Sequence, residues 1–208
     1  MKISGGTNAE IHLITGGGYK LINKTYSHKK LSIDLGILIL HDIIELRKIF
    51  SKKHLKTSKI ESIAIKDGSF SILEKFCGPS IRDLIRNNHK DVDKHIAQCI
   101  DYIKQIPQNI PVDTNPANFT VYQDSIYFVD FTPPYPWKYV TNKETQNSLQ
   151  EIFPTLKPRV ADSNGERERV NRYYKTTSRI KKFMFYVDSY KNGTIIKLAG
   201  EGRGERRE

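Results

Sequence analysis

The chain has 208 residues, 38% of them hydrophobic, and 34 Lys and Arg against 23 Asp and Glu give a formal net charge of +11. That length fits one domain or a two-lobed unit with a real core. No apolar run reaches the length of a membrane helix and no signal peptide stands at Met1-Lys2-Ile3, so a cytoplasmic protein with no membrane partner is expected. Cys77 and Cys99 both lie in apolar patterns and read as buried free thiols, and the six histidines show no zinc-site spacing. The positive charge admits a nucleic-acid partner, an acidic substrate, or nothing beyond a lysine-rich composition.

In chain order, the first signal is Ile3-Ser4-Gly5-Gly6-Thr7-Asn8-Ala9-Glu10-Ile11, a glycine-containing turn running into an apolar strand from Ile11 to Ile14. Glycines such as Gly5 and Gly6 let a backbone approach phosphate oxygens closely, although Gly-Gly is also an ordinary hairpin turn. Thr15-Gly16-Gly17-Gly18 predicts a hairpin turn into a second strand, Tyr19 to Tyr26, which carries Lys24 and, at the same parity, Lys20. No Gly-Lys-Ser/Thr follows these glycines, which excludes a Walker loop.

Ile37 to Phe50 has a helical apolar period and offers two acidic residues, Asp42 and Glu45. Ile60–Ile65 and Phe70–Glu74 predict a strand pair joined by a turn with the Asp67-Gly68 signal. A strand end, a turn and a short helix capped by Ser80 are expected across Leu73 to Ile85, through Glu74, Phe76, Gly78 and Pro79. Asp91 to Ile106 is amphipathic, with Val92, Ile96, Cys99, Ile100 and Ile103 on one face.

The densest chemistry follows. Asp113-Thr114-Asn115-Pro116-Ala117-Asn118 leads into candidate strands Phe119–Tyr122 and Ile126–Val129, joined by Gln123-Asp124-Ser125, and then Asp130-Phe131. The hairpin brings Asn118 and Asp130 together at its open end. An amide beside a carboxylate is an oxygen-ligand pair suited to Mg²⁺. Asp113 stands near them, placed to orient a hydroxyl and take its proton.

This ordered pattern resembles the protein-kinase-like superfamily, in which D-x-x-x-x-N precedes a D-F-G type triplet. It looks most like the aminoglycoside and choline phosphotransferases and the small atypical kinases. The resemblance implies an α+β, two-lobed kinase-like fold: a small antiparallel-sheet N-lobe with one helix over residues 1–77, and a mainly helical C-lobe with a catalytic hairpin over 78–198. It implies ATP and Mg²⁺ as cofactors, with Gly5 and Gly6 over the phosphates and Lys24 on the α- and β-phosphates. Asp42 or Glu45 would pair with Lys24, and backbone in the segment containing Glu74, Phe76 and Gly78 would face adenine. Asn118 and Asp130 would hold the metal, with Asp113 as catalytic residue. The acceptor is a hydroxyl-bearing molecule, a small one being favoured, with a protein- or RNA-associated acceptor as the alternative.

The chain departs from the family pattern where Pro111 and Val112 precede Asp113 and where Thr132 follows Asp130-Phe131. These changes motivate an alternative class, a kinase-shaped binding or scaffold module without turnover. Further on, Pro133–Trp137 predicts a loop, Glu144–Phe153 and Glu166–Tyr190 predict helices, and 199–208 predicts a disordered tail. Arg167, Arg169, Arg172, Lys175, Arg179, Lys181 and Lys182, with Tyr173 and Tyr174 among them, read as a solvated helix face, with RNA binding as the other reading.

Overall fold

A computed structural model describes residues 2–5, 9–28, 31–108, 110, 112–131 and 175–193. It is a mixed α+β structure. Five strands form one sheet in the order β1-β2-β3-β5-β4: β1 (Lys2–Gly5), β2 (Glu10–Gly16), β3 (Tyr19–Ser27), β4 (Ile60–Lys66) and β5 (Ser69–Lys75). Every neighbouring pair is antiparallel. Gly17 and Gly18, at φ 54° and 80°, make the β2–β3 turn that the glycine run predicts.

Helix α1 (Ile33–Lys52) begins four residues earlier than its apolar period suggests. The Ser32 hydroxyl caps it by accepting from the Leu35 amide at 3.2 Å. Gly36 lets this first turn lie close to β4, since a β-carbon there would sit 3.2 Å from Ile65 Cγ2. Leu35, Ile39, Ile43, Leu46 and Phe50 form its buried face.

After the sheet come α2 (Ile81–Arg86) and α3 (Val92–Gln105), then a single 3₁₀ turn at Pro116–Asn118. Strands β6 (Phe119–Tyr122) and β7 (Ser125–Phe128) make the expected hairpin, with β7 starting and ending one residue earlier than read and with Gln123 and Asp124 at φ 48° and 55° in its turn. A two-residue turn of this hand matches the strand twist, which is why two non-glycine residues tolerate positive φ here.

The last described helix, α4, spans Thr176–Lys191. The expected helix from Glu166 is not continuous through this region, because Lys175 is extended at φ −74° and ψ 128°. Residues 166–174, the loop at 133–137, the helix at 144–153 and the tail at 199–208 lie outside the described residues, as does Gly6.

An aromatic cluster ties the helices to the hairpin: Phe119 and Phe128 lie 5.3 Å apart, Phe50 and Phe128 5.5 Å, and Phe119 and Phe183 of α4 5.7 Å. Such pairs add to the burial of their area. Cys77 and Cys99 are buried free thiols. Among the described residues no helix is long and apolar enough to cross a membrane.

Candidate functional site

Lys24 and Glu74 meet because of strand register. Ile22 pairs with Glu74 and Lys24 with Ile72, so Lys24 and Glu74 are diagonal neighbours on one sheet face. Lys24 Nζ lies 2.9 Å from Glu74 Oε2, with side-chain exposures of 12% and 3%. Arg47 of α1 donates to Glu74 Oε1 from the other side, and the Ser58 hydroxyl donates to Oε2 at 2.9 Å. One buried carboxylate thus holds two cations. Burial pulls the Arg47 guanidinium below its usual pKa, and Glu74 opposes that shift.

This corrects one expectation. Lys24 is paired with Glu74 of β5 rather than with Asp42 or Glu45 of α1. The Glu74 side chain is an ion-pair group of the interior, and the expectation for this segment concerned its backbone. Glu45 sits on the helix surface 2.6 Å from Lys48, whose hydrogen bond and charge lower its pKa. Asp42 is buried at 2% exposure, and its Oδ2 has no hydrogen-bond partner among the described residues. Burial pushes its pKa up to about 6, against the pull of the His41 ring 3.8 Å away.

The same two cations flank Asp130. Lys24 Nζ donates to the carbonyl of Val129, and the Arg47 guanidinium lies 4.4 Å from the centre of the Phe131 ring. The residues either side of Asp130 are therefore fixed from β3 and from α1. Asp130 is half-buried at the hairpin mouth. The Val129 amide donates to the Asn118 carbonyl at 3.0 Å, which brings Asn118 next to Asp130, as the hairpin reading expects.

The loop before the hairpin is organised around Asp113. Its Oδ1 accepts from the Asn115 amide at 3.1 Å, and the Asn118 side-chain amide donates to its carbonyl at 3.1 Å. With its nitrogen committed there, Asn118 Oδ1 is the atom left to act as a ligand. Lys182 of α4 lies 2.7 Å from Asp113 Oδ1, with side-chain exposures of 11% and 31%. Arg179, fully buried one turn earlier, donates to the carbonyls of Ile106, Pro107 and Ile110. The Thr114 hydroxyl returns a bond to the Arg179 carbonyl at 2.9 Å. Helix α4 thus holds both sides of the Asp113 loop, and Arg179 and Lys182 are not the solvated charges their cluster suggests.

The segment from β5 to α2 is stitched to the hairpin. The Val121 amide donates to the Pro79 carbonyl at 3.0 Å, and Ser80 bridges to Thr120. Gly78, at φ 82°, lies so close that a β-carbon would sit 1.8 Å from the Val121 carbonyl oxygen. The Phe76 amide is already bonded to the Lys20 carbonyl at 3.0 Å, so any ligand contact at Phe76 falls to its carbonyl. Gly5 closes β1 opposite Glu10, and Lys20 lies 5.9 Å from the Phe76 ring centre rather than beside Glu74.

Sequence reasoning missed Arg47, Ser58, Arg179 and Lys182. The signal for Arg47 and Arg179 was present: each lies in phase with a buried helix face, Arg47 four residues after Ile43 and Arg179 four before Phe183. No protein-family model matches the chain, and no curated protein matches it in sequence.

Proposed function

We propose that the chain is a two-lobed, kinase-like phosphotransferase that moves the γ-phosphoryl group of ATP to a hydroxyl, with the lobes meeting near Gly78. The observation that supports this reading is Lys24, which binds Glu74 and, at the same time, the carbonyl of Val129, the residue before Asp130.

The donor set fits Mg²⁺. Asn118 Oδ1 and the Asp130 carboxylate are hard oxygen ligands carried on facing ends of the hairpin, where the Val129 amide bonds the Asn118 carbonyl. Two such ligands suit a cation that keeps waters and substrate phosphates in its remaining positions. Among the described residues no group of three or more His, Cys, Asp and Glu is placed to hold a metal ion. When bound there, Mg²⁺ supplies neutralisation of phosphate charge.

The chain's own residues do the rest. Lys24 binds the α- and β-phosphates as a desolvated cation, and Glu74 with the Val129 carbonyl fixes its ammonium in place. Both described hydrogen bonds to the Asp113 carboxylate go to Oδ1, which leaves Oδ2 to orient the acceptor hydroxyl. The hydroxyl oxygen bonds to the γ-phosphorus as the bond from that phosphorus to the bridging oxygen of ADP breaks, and the hydroxyl proton passes to Asp113. Positioning and electrostatics supply most of the acceleration in such a transfer. A test is transfer of label from the γ-position of ATP, in wild type and Asp113→Asn. The variant is expected to keep nucleotide binding and lose at least about 10²-fold in rate. An Asp113→Asn protein with full transfer activity would remove the role.

One observation favours a second reading, a kinase-shaped binding module: Lys24 and Asp113 are both engaged within the chain, to Glu74 and Lys182. It predicts nucleotide binding with no label transfer in wild type.

A further inference from the structure

Beside Asp113 the surface of α4 changes character. Lys182, Tyr186 and Tyr190 recur every four residues, so they form one stripe along the helix. The stripe starts at the Asp113 carboxylate through Lys182. It continues past Tyr186, whose ring centre is 6.0 Å from Lys182 Nζ, to Tyr190, whose ring lies 6.2 Å from that of Tyr186 at 24° between planes. The Tyr190 hydroxyl donates to Asn115 Oδ1 at 3.3 Å, which fixes the stripe against the Asp113 loop. The exposed Arg86 of α2 ends it, with its guanidinium 5.4 Å from the Tyr190 ring centre.

Each half-buried tyrosine therefore carries a cation near its ring, and the whole stripe leads to the carboxylate that would take the acceptor's proton. The acidic neighbours are already engaged: Asp83 lies 2.6 Å from the Ser80 hydroxyl and 3.4 Å from Arg82, and Asp113 holds Lys182. Two aromatic rings with a cation at each end suit a planar ring joined to a phosphate.

We propose that the α4 stripe Lys182–Tyr186–Tyr190, with Arg86, is the acceptor subsite and that it takes a nucleotide unit, either free or within a single strand. This rests on the phosphotransferase reading, because it is that reading which makes Asp113 the point of transfer.

The experiment is equilibrium binding of a short fluorescent uridine-rich RNA, with ADP and Mg²⁺ saturating so that the ATP site is filled. Uridine monophosphate serves as competitor. Wild type is expected to bind. Competition by the monophosphate identifies a free nucleotide as the ligand, and binding without competition identifies a strand. Tyr186→Ala, which leaves the net charge unchanged, is expected to weaken binding about tenfold. Arg86→Glu, at an exposed position, is expected to weaken it and to flatten its salt dependence, and carries the test if Tyr186→Ala does not fold. Wild type that binds neither probe, or variants that bind as wild type does, would overturn the subsite. A thermal shift with ADP and Mg²⁺ in the same samples separates the two levels. If the shift persists while RNA binding fails, only the subsite falls; if it is missing in wild type, the phosphotransferase reading falls with it.

Discussion

Replacing Glu74 by Ala tests the ion-pair arrangement most severely. The substitution leaves Lys24 and Arg47, with side chains 12% and 11% exposed, sharing a site without their anion. It also strands the Ser58 hydroxyl that donates to Oε2. Breaking a buried pair by removing one partner costs about 3–5 kcal/mol, because the remaining charge stays desolvated. Two stranded cations put this site at the upper end of that range, near 5 kcal/mol. For a chain of this length each kcal/mol moves the melting temperature by about 2–4 °C, so a fall of roughly 10–20 °C is expected. Differential scanning calorimetry on wild type, Glu74→Ala, Arg47→Ala and the double variant gives the coupling directly. The double variant should lose less than the sum of the singles. Glu45→Ala, which removes only a surface contact to Lys48, should melt as wild type does. Glu74→Ala melting within a degree or two of wild type would refute the reasoning, as would an equal loss from Glu45→Ala.

Other outcomes follow from the same geometry. Gly78→Ala is expected to destabilise by well over about 2 kcal/mol, since a positive φ alone costs about 1–2 kcal/mol for an L-residue and the added carbon collides with the Val121 backbone; urea unfolding reads it. Asp42 binds its proton more tightly folded than unfolded, its pKa rising from 3.8 to about 6. Its ionised form therefore costs stability, about 2–3 kcal/mol above pH 6, and that cost disappears as pH falls from 6 towards 4. Asp42→Asn should accordingly be more stable than wild type at pH 7.5, with the advantage shrinking as pH falls through this window; an advantage independent of pH would contradict the assignment. Phe183→Ala, fully buried against Phe119, should cost about 3–5 kcal/mol by the same unfolding assay.

How much of this was legible in the sequence depends on the range over which each feature is decided. The hairpins were readable because their signals are local: Gly17-Gly18, Asp67-Gly68, and the two apolar runs around Gln123-Asp124. The approach of Asn118 to the residue before Asp130 follows from hairpin pairing alone, and the Val129 amide bonds the Asn118 carbonyl. The partner of Lys24 was not local. It depends on β3 pairing with β5 across an intervening helix and strand, in a register that sets Ile22 opposite Glu74. Residue type in α1 pointed to Asp42 or Glu45, but nothing in a helix period says which strand residue completes the pair.

The α4 contacts were obscured by composition. Arg179 and Lys182 sit in a run of basic residues, and a run of charges reads as solvent-facing. Only tertiary packing shows that Arg179 spends its donors on the carbonyls of Ile106, Pro107 and Ile110, and that Lys182 reaches Asp113 across 69 positions of sequence. Helix starts failed for a smaller reason. The Ser32 cap sets where α1 begins and the extended backbone of Lys175 precedes α4, and an apolar period registers neither.

The central claim is a metal–nucleotide site at Lys24, Asn118 and Asp130, and thermal melting with and without ATP plus Mg²⁺ tests it most directly. A ligand at about 100 times its dissociation constant stabilises the folded state by about 2.7 kcal/mol, which at 2–4 °C for each kcal/mol is a rise of roughly 5–10 °C. Wild type is predicted to show that rise and Asp130→Ala to lose it while still folding. No rise in wild type at millimolar nucleotide, or an undiminished rise in Asp130→Ala, would contradict the account.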